Sequence, residues 1–533
     1  MQNKKSLKST QSFFIYLLLI ISIFNFNCKL NLNNPGDPFS KAFLETFLLR
    51  AYLDSLCDPN LRGSVALGSG LYFTVVNDLK KYGNDIYFTA SVKEPVVWNN
   101  RTDGVNFPFS GSIPTTNVIV GKINGKTFQI DWIDYLGISN GDFSNSEYVS
   151  LFTFSNGDIG ISTIVRNTQP GSLTSKIADP TPAAYIVRYA PDGKRIWSRY
   201  LNKPTSEFNA GDGFVAVSDK LDRIHIFYRT LNSVGVPDST GFSDMPQPLN
   251  QTSGLNTKSE IGWATLNGDG TANSQRFLTG NSANVFSISL ATAVSNGTNI
   301  FLGGKSNDEI AGFTGHPAVG NSGSSVFVAT LNLDFSITSI RYYGDSSGIG
   351  EANLLKMALN ENNIFAYGAS NTSFGSPAQP FLSGTNDSLL YMKFDLTSNL
   401  LWHSFLGSNT SGLINDPAIV SFENRKNSFT SKAVGSFDGL RFTGYDTVTS
   451  GISVNPFPSV TARLNPETGN FQSLFYETNS NSPTTASITR LRAVKHYQDV
   501  CSGRMVTAKN EYLNNTGNIG YLEISTRPAN EEP

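Results

Sequence analysis

The sequence predicts an all-β repeat protein, and three observations carry the prediction. One strand pattern recurs seven times along 533 residues. A second, independent strand class recurs the same number of times. Beyond residue 60, long segments with 3.6-residue apolar periodicity are almost absent, which leaves little room for helices. A period of tens of residues means that each copy is one supersecondary unit burying its faces against its neighbours.

Each unit parses into four strands. A short apolar strand, as at Gly211–Asp219 or from Leu354, leads through a brief polar turn to a second, as from Arg223 or Asn363. After a long loop comes a third strand, a tight Asp/Asn/Gly turn such as Pro191-Asp192-Gly193, and a fourth strand rich in aromatics. The third strand is expected at Asn117, Ala184, Ile261, Val326, Leu389, Val460 and Ile519. From the first to the last of these, six steps average 67 residues. The second strand is expected near Asp85, Asp158, Arg223, Asn299, Asn363, Asn427 and Cys501. Seven units of four antiparallel strands make a seven-bladed β-propeller, spanning residues 61–525.

Counting strands also predicts how the ring closes. The last unit ends after its third strand at Ile519–Ser525, leaving residues 526–533 as a disordered tail. Residues 61–68 precede the first strand of the first unit and stand where a fourth strand belongs. They are therefore expected to complete the last blade, so that no edge stays open. Cys57 then approaches Cys501, and a disulfide between them is one outcome, two separate thiols the other.

The strand order, with Trp197-Ser198-Arg199-Tyr200-Leu201 and Trp402-His403-Ser404-Phe405-Leu406 closing two units, resembles the bacterial seven-bladed β-propeller repeat family. The units at Ile261, Val326 and Val460 lack that tryptophan, and the first unit carries Trp132 nearby. The first 27 residues read as an export signal, with Lys4, Lys5 and Lys8 ahead of an apolar run from Phe13 to Phe24. That run is shorter than the roughly 20 residues a spanning helix needs. The following Phe24-Asn25-Phe26-Asn27-Cys28 resembles a relaxed bacterial lipobox, with Asn25 and Asn27 departing from its usual residues. The resemblance implies lipidation of Cys28 and a membrane-anchored lipoprotein of the cell envelope, most naturally at the outer membrane. Residues 28–60 hold a linker and a helix expected at about 38–56, opened by Asp37-Pro38 and docked on the ring or on a membrane surface.

Charged residues make up 15% of the chain and the net charge is -2, so no basic stripe exists for nucleic acid. No Cys/His cluster or repeated cofactor-docking motif is present, so neither a metal nor a cofactor is expected. The connections between second and third strands are long and leave on one face, at 92–116, 167–183, 231–260, 305–325, 369–388 and 436–459. Loops on a rigid scaffold are where binding concentrates. Candidate contact residues there are Trp98, Phe313, His316, Phe442 and Tyr445, although a Phe in each loop also suits plugging that loop onto its own blade. His225 and His403 lie inside strands and suit packing. Asn267-Gly268-Asp269-Gly270-Thr271 reads as a hairpin turn rather than a calcium loop. The reading that results is a monomeric, non-catalytic envelope protein that binds a protein or glycan. The alternatives are an exported enzyme acting on glycans, for which Asp219, Glu423 and Lys495 are the nearest ionisable groups, and a scaffold subunit of an envelope assembly.

Overall fold

Alternating turn residues and apolar runs fold this chain into antiparallel sheets of four strands each. The computed structural model describes residues 63–68, 74–138, 149–177, 182–203, 214–231, 241–250, 259–280, 288–317, 323–347, 350–360, 362–381, 388–406, 421–425, 428–434, 459–477, 495–498, 504–512 and 520–528. The chain divides into two units, Met1–Asp58 and Pro59–Pro533, and every described residue lies in the second. Cys28, Cys57, Cys501 and the helix expected at 38–56 lie outside the described residues.

Sheet 1 runs Thr74–Tyr82, Asp85–Val92, Asn117–Ile123 and Ile130–Ile138; sheet 2 runs Ser150–Thr153, Ile159–Val165, Ala183–Tyr189 and Arg195–Leu201. Sheet 3 runs Phe214–Ser218, Ile224–Leu231, Ser259–Leu266 and Ala272–Leu278; sheet 4 runs Ile288–Ser295, Asn299–Ser306, Ser325–Asn332 and Ile337–Tyr343. Sheet 5 runs Ala352–Asn360, Asn363–Ser370, Ser388–Asp395 and Leu400–Leu406; sheet 6 runs Ser421–Arg425, Ser428–Val434, Ser459–Leu464 and Phe471–Glu477. The remaining sheet joins Lys495–Gln498, Arg504–Tyr512 and Gly520–Pro528 to a strand from the other end of the chain, Ser64–Leu67. That strand pairs antiparallel with the third, Ser64 opposite Ser525 and Leu67 opposite Leu522. The third strand continues to Pro528, opposite Arg504, so residues 526–528 are paired rather than part of a tail.

The first strands of successive sheets adjoin one another in sequence, and Lys495–Gln498 adjoins Thr74–Tyr82. They line the inner side of a β-propeller, with the fourth strands outermost. Both faces of sheets 1 to 5 are thereby covered, which explains why their third strands are buried along almost their whole length rather than at alternate positions. Ser259–Leu266 is buried at every position.

Neighbouring sheets are latched by an aromatic side chain that reads the next sheet's third-to-fourth-strand turn. Trp132 Nε1 donates to Pro191 O at 3.1 Å, Trp197 Nε1 to Gly268 O at 2.9 Å, and Trp402 Nε1 to Pro466 O at 2.9 Å. Each ring also covers a turn glycine with φ near +80°: Gly193, Gly270 and Gly469 (φ 87, 83 and 73). A Cβ at Gly193 would stand 2.7 Å from the Trp132 ring, so the position excludes side chains twice over. Two of the units lacking this tryptophan, those at Ile261 and Val326, use other groups. Trp263, on a third strand, lies against Phe335 at 4.6 Å between centroids, and Arg276 donates to the Phe335 carbonyl. Tyr343 donates its hydroxyl to Ser398 O at 2.6 Å. Where the ring closes, Gly63 meets Phe128 of the sheet 1 turn.

Two stability measurements check these contacts. Leu67 is fully buried at the closing strand while Ser64 is exposed. Leu67→Ala should therefore cost about 2–5 kcal/mol in denaturant unfolding, and Ser64→Ala should stay within about 0.5 kcal/mol. Trp132→Phe, which loses one hydrogen bond, should cost about 1 kcal/mol. Gly193→Ala should cost more, and should be partly relieved in a Trp132→Ala background, a coupling of about 0.5–3 kcal/mol in a double-mutant cycle.

Candidate functional site: the clamped loops and the interior passage

The long loops do not stand free on one face. Each of several folds back along the outer edge of its own sheet. Val105 N donates to Ile133 O at 2.9 Å, Leu173 N to Ser198 O at 2.8 Å, Leu249 N to Gln275 O at 2.8 Å, and Ala378 N to His403 O at 2.8 Å. The acceptors all belong to fourth strands, whose outward carbonyls would otherwise lack partners. Thr174 and Asn250 extend the pairing through their side chains, to Tyr200 and Phe277 respectively. Burial follows: the fourth strands of sheets 1, 2 and 5 are buried along most of their length. Sheet 4 differs. Its loop turns to sheet 3 instead, Ala311 N donating to Thr279 O, and its fourth strand stays half exposed.

In sheets 1 to 5 a fourth-strand side chain then ties down the root of the loop. Tyr135 Oη accepts from Val96 N at 2.8 Å and donates to Thr102 O at 3.1 Å. Tyr200 does the same with Gln169 N at 2.6 Å and Asn167 O at 3.2 Å, and Tyr342 accepts from Ile310 N at 2.6 Å. Burial pushes the Tyr135 phenol up to about 12 and Tyr342 higher still, so both remain protonated. Gln275 and His403 take this role in sheets 3 and 5, bonding Phe242 and Phe374 backbone atoms. In sheet 1 the buried Asp134 accepts from Asn106 N and Phe107 N, both at 2.9 Å, and from Tyr189 Oη of sheet 2 at 2.6 Å. Burial raises its carboxyl, against the pull of those hydrogen bonds.

Of the sequence-predicted contact residues, Trp98 and His316 are buried and anchor their loops. Trp98 is 5% exposed and donates Nε1 to Asp103 O. His316 is 6% exposed, with Nε2 3.0 Å from Ser306 O and its ring edge-on to Tyr342. Phe313 is partly buried against the core of sheets 3 and 4. The first two are thus removed from the accessible surface, because a large ring in a long loop is more useful as its plug. Phe109 against Tyr135 and Phe374 and Phe381 against Phe405 show the same arrangement. Phe442 and Tyr445 lie outside the described residues.

Asp219 is equally committed. Its Oδ2 lies 3.0 Å from His225 Nε2 and 2.8 Å from Arg223 Nε, while Trp263 Nε1 donates to His225 Nδ1 at 3.2 Å. The indole fixes the tautomer: Nδ1 accepts, so Nε2 carries the proton to Asp219. His225 and Asp219 are buried, and the pair braces sheet 3 from inside. The side chains of Glu423 and Lys495 are outside the described residues.

What the sequence reading missed lies on the inner strands. In three of them the register shifts at one position, between Val76 and Asp78, Leu290 and Thr292, and Leu354 and Lys356. These are β-bulges, which re-aim the residue that follows. The one in sheet 1 is pinned by Asn77 Nδ2 donating to Ser91 Oγ at 3.0 Å. The re-aimed groups reach the next sheet's inner edge: Leu151 N donates to Asp78 Oδ2 at 3.2 Å, and Met357 N to Thr292 Oγ1 at 3.3 Å. Lys80 Nζ bonds Leu151 O at 3.1 Å, so the amide and carbonyl of one residue are met by two charged side chains. Lys356 Nζ, from sheet 5, comes within 3.7 Å of Asp78 Oδ1. Sheets 1 and 5 are not neighbours, so this pair spans the interior. Asp78-Leu79-Lys80-Lys81, a charged run inside a first strand, was the available signal.

The Asp219 group yields a pH prediction. Burial pushes the Asp219 carboxyl up, but the bonds from His225 and Arg223 outweigh it and hold it at about 2. A depressed carboxyl contributes stability above its unfolded value of about 3.9, lost as pH falls toward 2. Burial also lowers His225, so the folded state resists its protonation below about 6.5 as well. Thermal melts should show the wild type more stable than Asp219→Asn at pH 7, by at most about 2 kcal/mol from the carboxyl, with the gap closing between pH 4 and pH 2.

No known protein-family pattern matches the sequence, and no curated protein matches it. Among solved structures the chain is similar to polysaccharide lyase Uly1, at a TM-score of 0.43 and 9% identity over 85% of this chain and 90% of that one. It is also similar to the β-propeller domain of the trilobed protease from Pyrococcus furiosus, at a TM-score of 0.37 and 6% identity over 86% and 95%. An acylaminoacyl peptidase from Pyrococcus horikoshii aligns at a TM-score of 0.37 and 6% identity over 86% of this chain, which spans about half (52%) of that protein's length.

Proposed function

We propose that the chain is a closed seven-bladed β-propeller, tethered to the cell envelope through a lipidated Cys28, that binds a protein or glycan with its long loops and performs no catalysis on them. The carrying observation is that these loops are held by backbone bonds to the fourth strands and by buried Tyr135, Tyr200, Gln275, Tyr342 and His403. A surface fixed before contact gives up little conformational entropy on binding. Six of the nine exposed large apolar residues among those described lie on the long loops of sheets 1 to 3: Val97, Val105, Ile113, Leu173, Ile177 and Leu249. Exposed apolar groups gathered on a rigid support favour a contact surface over an open reaction centre. The lipid tether is supported by the sequence of the first 28 residues alone.

Two experiments test this. Cys28→Ser should move the protein from the membrane to the soluble fraction, and retention in the membrane would contradict lipidation. Val97→Asp, Leu173→Asp and Leu249→Asp, combined, should leave folding intact because all three side chains are more than half exposed (65%, 53% and 66%). A partner cross-linked by the wild type in envelope extract, or a glycan held on an array, should be lost with the triple variant. Equal retention would overturn the loop assignment.

A further inference from the structure

We propose that the interior passage holds a binding site for an oxyanion group, a carboxylate, phosphate or sulfate, between Lys80 and Lys356. The site is independent of the long-loop surface. Three observations converge on it.

Lys356, on the first strand of sheet 5, reaches across the ring to the Asp78 carboxylate on the first strand of sheet 1, and Lys80 stands two residues beyond Asp78 on that same strand. Both Asp78 and Lys356 follow a β-bulge at the equivalent register position, so the backbone itself is bent to present them. Two cations face one anion among the described side chains here, and that anion is already engaged. Asp78 accepts from Leu79 N at 3.0 Å and from Leu151 N at 3.2 Å, and its contact with Lys356 is a loose 3.7 Å.

The surroundings are those of a wet enclosure. Lys80 is exposed to solvent, yet burial holds its ammonium below the usual lysine range, against the attraction of Asp78 and with the repulsion of Lys356. Lys80 lies on the first strand of its sheet, and the first strands line the inner side of the ring. Lys80 spends one of three donors on Leu151 O, leaving others for a ligand. Satisfying the inner edge of sheet 2 accounts for Asp78 and for part of Lys80. It does not account for Lys356, which is 36% exposed and bonds no backbone edge in the described structure. An oxyanion bridging the two ammonium groups explains why a second lysine is aimed there, and in a confined passage its attraction is less screened than on the surface.

Calorimetric titration of the full chain with inorganic phosphate, and separately with acetate, tests the proposal at fixed ionic strength in chloride. The wild type should bind at least one of them saturably with one site per chain. Lys356→Met should weaken that binding at least tenfold, Lys356→Arg should recover most of it, and Lys126→Met, an exposed lysine elsewhere, should leave it unchanged. Stronger phosphate than acetate binding identifies a phosphate- or sulfate-bearing ligand, and the reverse a carboxylate. Thermal melts of each variant confirm that loss of binding is not loss of fold. Absence of saturable binding to the wild type, or equal affinity in a folded Lys356→Met, would overturn the site.

Discussion

A four-stranded antiparallel sheet has two faces to bury and two edges to satisfy, and this constraint organises the whole chain. Arranging the sheets about an axis buries the faces, which is why third strands are buried at almost every position. The edges need separate solutions, because a buried backbone group left without a partner costs about 1–3 kcal/mol. On the inside, Asp78, Lys80 and Thr292 supply partners for the adjoining strand. On the outside, the chain uses its own long loops.

This second solution changes what the loops are. A connection far longer than a hairpin requires becomes a partial fifth strand, and its aromatic residues become plugs. The exception supports the rule: sheet 4, whose loop docks elsewhere, has the most exposed fourth strand of sheets 1 to 5. The same economy governs the joints between sheets, where one indole packs over a turn glycine and bonds a turn carbonyl. Where tryptophan is missing from that position, Trp263 with Arg276, or Tyr343, reaches the corresponding turn from a neighbouring position.

Strand order and strand position were legible in the sequence because turns are marked by Asp, Asn and Gly and strands by unbroken apolar runs. Third strands begin at Asn117, Ala183 and Gly520 where Asn117, Ala184 and Ile519 were expected. The pairing of residues 64–67 with the last sheet followed from counting strands alone. The burial of Trp98 and His316 was not legible in the same way. Trp98 and His316 stand in loops, and loop membership alone does not reveal whether a ring points to solvent or back to the fourth strand. That distinction depends on the partner, Asp103 O for one and Ser306 O with Tyr342 for the other, and neither partner is marked by a motif. The convergence of Asp78 and Lys356 was hidden for another reason. Those two residues are far apart in sequence, and a bulge of one residue decides where each points.

The central claim is that the long loops are structural edges as well as surface, and amide hydrogen exchange addresses it residue by residue. The amides of Val105, Leu173, Leu249 and Ala378 donate to fourth-strand carbonyls, while their loops also contain amides with no such bond. These four should exchange as slowly as amides within the fourth strands, and far more slowly than neighbours in the same loops. Exchange of all four at the rate of an unstructured peptide would contradict it.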